Sequence, residues 1–146
     1  MNDSHNVPEP SDDLVLRANS VKKAAMSLAL TSDLQRKNAL LEVANSLDIR
    51  RTEIVASNVQ DLQRSSAEGL SQALLSRLKM DENKLKASIE GIRQVASLPN
   101  PIGIRQLHRE LDQGLYLERL TVPLGVIGVI FEARPDALIQ IASLAL

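Results

Sequence analysis

Residues 122–146 read VPLGVIGVIFEARPDALIQIASLAL, and the fold class follows from how this segment is built. Val126, Ile127, Val129, Ile130 and Phe131 form a continuous apolar run rather than an alternating one, as expected of a parallel strand covered on both faces. Glu132, Arg134 and Asp136 then mark a polar turn. Pro135 suits the first turn of a helix, where its missing N–H leaves no hydrogen bond unmade. After it, Leu138, Ile139, Ile141, Ala142, Leu144 and Ala145 make a helix that is apolar over much of its circumference. A buried strand, a tight turn and a helix are how an open α/β sheet begins. No Gly, Asn or basic residue finishes the helix, so Leu146 reads as a truncation point. The charged turn splits the stretch into pieces far shorter than the roughly 20 apolar residues that span a bilayer, and no membrane segment is expected.

Upstream the language is helical. Asp12 and Asp13 stand where a helix start welcomes negative charge, and Leu14, Val15, Ala18, Val21, Ala25 and Leu28 carry one apolar face. Thr31 and Ser32 end that run, and Ser32 with Gln35 fits a capping box opening a second helix with Leu40, Ala44 and Leu47 inward. Residues 50–63 continue helically with Ile54 and Val55 inward. Gly69 and Ser71 make a connection, Leu74, Leu75 and Leu78 a short apolar face, and Asp81 the N-cap of a longer helix bearing Leu85, Ile89, Ile92 and Val95. Pro99 and Pro101 close it. From Gly103 the pattern predicts a two-stranded ribbon, with residues 104–111 as one arm, Asp112, Gln113 and Gly114 at the turn, and Leu115 and Leu117 on the other arm.

Composition narrows the function. Basic and acidic side chains number 17 and 18, are interspersed, and form no stripe suited to nucleic acid. Cysteine is absent, which excludes disulfides, thiolate metal ligands and thiolate nucleophiles within these residues, and fits a reducing compartment. Residues 1–13 have neither a cationic patch nor an apolar core; they read as a disordered lead-in rather than a secretory signal.

The strand-to-helix turn is the best site candidate, because ligands of open α/β sheets gather beyond the carboxyl ends of the strands. Arg134 can hold a phosphate or carboxylate through two directed hydrogen bonds, with Glu132 orienting it or meeting a polar substrate. A salt bridge securing the strand edge is the structural alternative. Gly125 and Gly128 do not make a dinucleotide fingerprint, since they precede or interrupt the strand; close packing or a bend explains them. His5 and His108 lack partners at metal-ligand spacing, so no zinc site is expected. Asn58 and Asp61 lie at i, i+3 on one helical face, where capping or interhelical hydrogen bonding is the simpler role.

Residues 117–119 (LER), 123–130 (PLGVIGVI) and 131–136 (FEARPD) together closely resemble the gamma-glutamyl phosphate reductase (glutamate-5-semialdehyde dehydrogenase) family of the aldehyde dehydrogenase superfamily. The E-x-R-P turn after PLGVIGVI is its most specific mark. Residues 58–61 (NVQD), 68–71 (EGLS), 76–78 (SRL) and 98–103 (LPNPIG) stand in the family's order, so the resemblance runs through residues 14–146, about the first third of a family protein. It implies an α/β, aldehyde dehydrogenase-like fold, truncated: a lead-in at 1–13, a helical region at 14–103, a ribbon at 104–122, and at 123–146 the first strand-helix unit of a Rossmann-like cofactor-binding domain.

The implied activity is the reduction of gamma-glutamyl phosphate with NADPH to glutamate-5-semialdehyde and phosphate, in proline biosynthesis in the cytoplasm, by an enzyme that self-associates when complete. It also implies a cysteine thiolate that captures the acyl group, splitting one difficult transfer into two. That nucleophile lies downstream of the matched region in the family, so its absence fits truncation and an inactive isolated chain. Arg134 falls near where general aldehyde dehydrogenases place the asparagine that polarises the reacting carbonyl, and Glu132 flanks that pocket; both are expected to bind substrate. Two other readings compete: the reductase half of a bifunctional pyrroline-carboxylate synthase, whose kinase half would have to precede this sequence, and a non-catalytic helical interaction module.

Overall fold

The structure, a computed structural model, describes residues 12–132 and 134–146. In chain order it holds α1 (Asp12–Leu28), α2 (Asp33–Ile49), α3 (Arg51–Ala67), α4 (Gln72–Leu78), α5 (Glu82–Ser97), β1 (Arg105–Asp112), β2 (Leu115–Leu120) and α6 (Pro135–Ala145). Asp12 and Asp13 stand in the first described turn of α1. The rest of that lead-in, with His5, lies outside the described residues.

Local signals set the helix boundaries. The expected capping box is formed: the Gln35 amide donates to Ser32 Oγ at 3.2 Å, and the Ser32 amide donates to Gln35 Oε1 at 2.8 Å. Such a cap typically stabilises a helix by about 1 kcal/mol. Ser71 caps α4 by accepting from the Leu74 amide, and Asp81 caps α5 by accepting from the Lys84 amide at 2.9 Å. Gly69, at φ +83°, supplies the left-handed residue after α3.

The core lies where α5 packs against α2, with α6 on another side of α5. Leu85, Ile89 and Ile92 of α5 are fully buried and meet Leu40 and Ala44 of α2. Each large aliphatic side chain removed from water in this way contributes about 1.5–3 kcal/mol. Met80, between α4 and α5, joins the same core. Helix α1 carries the expected apolar stripe but none of its residues is buried, and Leu14, Val15 and Val21 stay exposed.

A buried arginine ties the helices to the ribbon. Arg36 of α2 donates to the Thr31 carbonyl at 2.7 Å and to Asn100 Oδ1 at 2.9 Å, and Asn100 Oδ1 also accepts from the Ile102 amide at 3.1 Å. Thr121 closes the base of the ribbon: its hydroxyl donates to the Pro101 carbonyl at 2.6 Å and accepts from the Ile104 amide at 2.8 Å. Above it β1 and β2 pair antiparallel, with His108 opposite Glu118 and irregularities beside Arg105 and Asp112. The turn is Gln113–Gly114, with Gly114 at φ +77°, and the expected turn residue Asp112 ends β1 instead. Every residue of both strands is exposed.

The strand expected at 126–131 is not formed. Residues 122–132 lie outside any sheet, and Val126, Ile127, Val129, Ile130 and Phe131 are all exposed. A strand exists only as one side of a ladder, and the sole ladder among the described residues is β1–β2. The apolar run thus keeps the composition of a covered strand while its large side chains stay 45% exposed or more. The helix after the turn is formed, with Pro135 in its first turn and Ala137 and Ser143 buried.

Candidate functional site

The start of α6 builds the candidate site. Arg134 is the N-cap residue, and its carbonyl accepts from the Ala137 amide at 3.1 Å. Pro135 follows with its fixed φ, so the Arg134 backbone is held at the mouth of the helix. Arg134 Nη2 lies 3.4 Å from Asp136 Oδ2. The Asp136 side chain is 20% exposed and the Arg134 side chain 55%, so the carboxylate is packed on the helix while the guanidinium faces solvent.

Glu132 is exposed and makes no ion pair or hydrogen bond with any described residue. Of the two carboxylates flanking Arg134, it is Asp136 that lies beside the guanidinium. The i, i+2 salt bridge from Arg134 runs forward onto the helix, where a carboxylate is also favoured by the helix dipole. Ala133, between the two candidate residues, lies outside the described residues.

Two cavities among the described residues lie elsewhere. The first, about 460 Å³, is bounded by α1, α2, the end of α5, residues 122–127 and the end of α6. Its charged members are already engaged, Asp33 with Lys37 at 2.8 Å and Arg36 in the clasp above. The second, about 400 Å³, lies between α5 and α6; its buried hydroxyls, Ser88 and Ser143, donate to their own helices at the Lys84 and Ile139 carbonyls. Neither offers a free charge beside a reactive group, and the turn remains the better site on chemical grounds.

Other singled-out residues have structural roles. Asn58 is buried, donates to the Leu78 carbonyl at 2.9 Å and accepts from the Met80 amide at 2.6 Å, fastening the α4–α5 connection to α3. Asp61 instead pairs with Arg64 at 2.6 Å. His108 stacks on Tyr116 with ring centroids 5.3 Å apart and lies 2.9 Å from Glu118, which also meets Arg105 at 3.2 Å. No group of His, Cys, Asp or Glu suited to a metal is found among the described residues. No helix among them is long and apolar enough to cross a membrane. Arg36, Asn100 and Asp136 were not predicted in their observed roles. Asp136 stood inside the charged turn and Asn100 inside the 98–103 segment, whereas nothing local marked Arg36.

The helical layer, the ribbon and the charged helix mouth define the class: an amino-terminal portion of an aldehyde dehydrogenase-like fold. The chain is, more particularly, similar to the amino-terminal third of gamma-glutamyl phosphate reductases. It is 62% identical to that reductase from Synechococcus sp. (strain CC9902) over 140 residues, which is 96% of this chain and 32% of the relative. It is 58% identical to that of Prochlorococcus marinus (strain MIT 9303) over all 146 residues, 33% of the relative. The crystal structure of gamma-glutamyl phosphate reductase from Saccharomyces cerevisiae superposes with a TM-score of 0.86 at 34% identity, over 93% of this chain and 34% of that one. The Thermotoga maritima enzyme gives the same TM-score at 29% identity. The chain thus spans about a third of the length of the relatives it matches. No family model matches it.

Proposed function

We propose that the protein whose amino-terminal third this chain matches reduces gamma-glutamyl phosphate to glutamate-5-semialdehyde and phosphate, with NADPH as hydride donor, in cytoplasmic proline biosynthesis. The observation that carries the reading is the 62% identity over 140 residues to a protein of that name, with the E-x-R-P turn inside the matched region.

Among the described residues no glycine turn of the dinucleotide-binding kind opens a helix. Gly125, at φ +87°, and Gly128 lie in the unpaired segment ahead of α6, and Arg134 and Pro135, rather than a glycine turn, open the helix. The sequence contains no cysteine, so the acyl-capturing nucleophile implied by the family is not among these residues either. Hydride donor and nucleophile are assigned to other parts of the protein, and the isolated 146-residue chain is assigned no activity.

What these residues contribute is binding. Arg134 presents a solvent-facing guanidinium whose fork matches a phosphate or carboxylate oxygen pair. Glu132, unengaged by any described side chain, is available to the ammonium group of the glutamyl substrate. The ribbon, exposed on both faces and bearing Leu107, Leu115 and Leu117, is the surface proposed for self-association.

A chimera tests the reading. These 146 residues replace the matched third of the Synechococcus enzyme, and phosphate-dependent NADP⁺ reduction by glutamate-5-semialdehyde is followed by the absorbance of the reduced nicotinamide. Activity that falls in both Glu132→Ala and Arg134→Ala supports the assignment. A folded chimera without activity, or full activity in both variants, removes it.

A further inference from the structure

We propose that Asp136 is a positioning residue for the Arg134 guanidinium; this rests on the reading of Arg134 as a substrate-binding group. Arg134 holds the N-cap of α6 through its backbone, which leaves a cationic side chain at the end of the helix where the dipole disfavours positive charge. A long side chain there has many rotamers open to it. Asp136 supplies the restraint: it sits in the first turn, where the same dipole favours its carboxylate, and its Oδ2 lies 3.4 Å from Arg134 Nη2.

The asymmetry of exposure gives direction to the contact. The carboxylate, 20% exposed, is the fixed partner, and the guanidinium, 55% exposed, is the one presented outward. A guanidinium has five N–H donors, and this contact occupies one edge, leaving the rest for an anion. Glu132 meets neither residue, so it does not share the task. The anion is either the phosphoryl group or the α-carboxylate of the substrate, which share the geometry that a guanidinium recognises.

The test uses the same chimera, with KM measured separately for phosphate and for glutamate-5-semialdehyde. A partly exposed ion pair contributes up to about 1 kcal/mol, so Asp136→Ala is expected to raise one of the two KM values about fivefold with little change in kcat. A rise in the phosphate KM places the phosphoryl group on Arg134; a rise in the semialdehyde KM places the α-carboxylate there. Asp136→Asn, which keeps an oxygen acceptor, is expected to recover most of the loss. In an Arg134→Ala background, Asp136→Ala is expected to add nothing.

Unchanged KM values in Asp136→Ala, with Arg134→Ala impaired, would overturn the positioning role and leave the substrate reading standing. Equal loss in the alanine and asparagine variants, with equal falls in melting temperature, would make Asp136 a helix-stabilising residue and also overturn it. If Arg134→Ala itself keeps wild-type constants, the substrate reading fails first and the inference falls with it.

Discussion

Arg36 and Asn100 are joined across the protein by a 2.9 Å hydrogen bond from Nη2 to Oδ1, and this contact fixes where the ribbon leaves the helical core. Arg36 is buried, and its other donor caps the Thr31 carbonyl at the α1–α2 turn. Asn100 in turn receives the Ile102 amide, and the adjoining Pro101 carbonyl is held by Thr121. The path of the chain into β1 and out of β2 is thus referenced to α2.

Arg36→Met is expected to destabilise the chain by about 1.5–3 kcal/mol, the usual range for a hydrogen bond to a charged group. Asn100→Ala should cost less, and the double variant should fall short of the sum because the two share one interaction. Urea unfolding followed by circular dichroism gives the three values. Strict additivity would show that the clasp does not hold in solution.

Asn58→Leu removes both partners of a buried pair of backbone groups, the Leu78 carbonyl and the Met80 amide. Each unsatisfied buried group costs about 1–3 kcal/mol, so the loss should exceed that of an ordinary surface substitution severalfold. Protection of the Met80 amide from hydrogen exchange is the direct readout, and it should vanish in the variant.

Ile89→Ala empties a position at the centre of the α2–α5 contact, where Ile89 is 1% exposed. The expected destabilisation is about 2–5 kcal/mol. Met80→Leu, which conserves volume in the same core, should stay under about 1.5 kcal/mol. Thermal melts of the two variants order these effects.

Acid should weaken α5 through its cap. The Lys84 amide and then Lys79 hold the Asp81 carboxyl below its ordinary value of 3.8. The folded chain therefore binds this proton less readily than the unfolded one. The contribution is present above the ordinary value and is lost as pH falls through it toward the lowered one. Melting temperature measured against pH should decline less steeply over that interval in Asp81→Asn; an identical acid limb in both proteins would remove Asp81 as a contributor.

Much of this architecture was legible in local sequence. The capping box at Ser32 and Gln35, the Asp81 cap, the α5 stripe of Leu85, Ile89 and Ile92, and Pro135 opening α6 are all decided within one or two helical turns. The ribbon was equally readable, because Gly114 supplies the positive φ that its turn requires. Such signals depend on neighbours in the chain, and the sequence states them directly.

Three features depended on distant residues. Residues 126–131 have the composition of a buried strand, yet pairing requires a second backbone, and apolarity alone does not supply one. Arg36 reaches Asn100, and Asn58 reaches Met80, across separations that no periodicity encodes. At the site, local sequence set which charges stand at the mouth of α6. The tertiary structure decided that Arg134 turns to Asp136 rather than to Glu132, because the first turn of the helix packs one carboxylate beside the guanidinium and leaves the other in solvent.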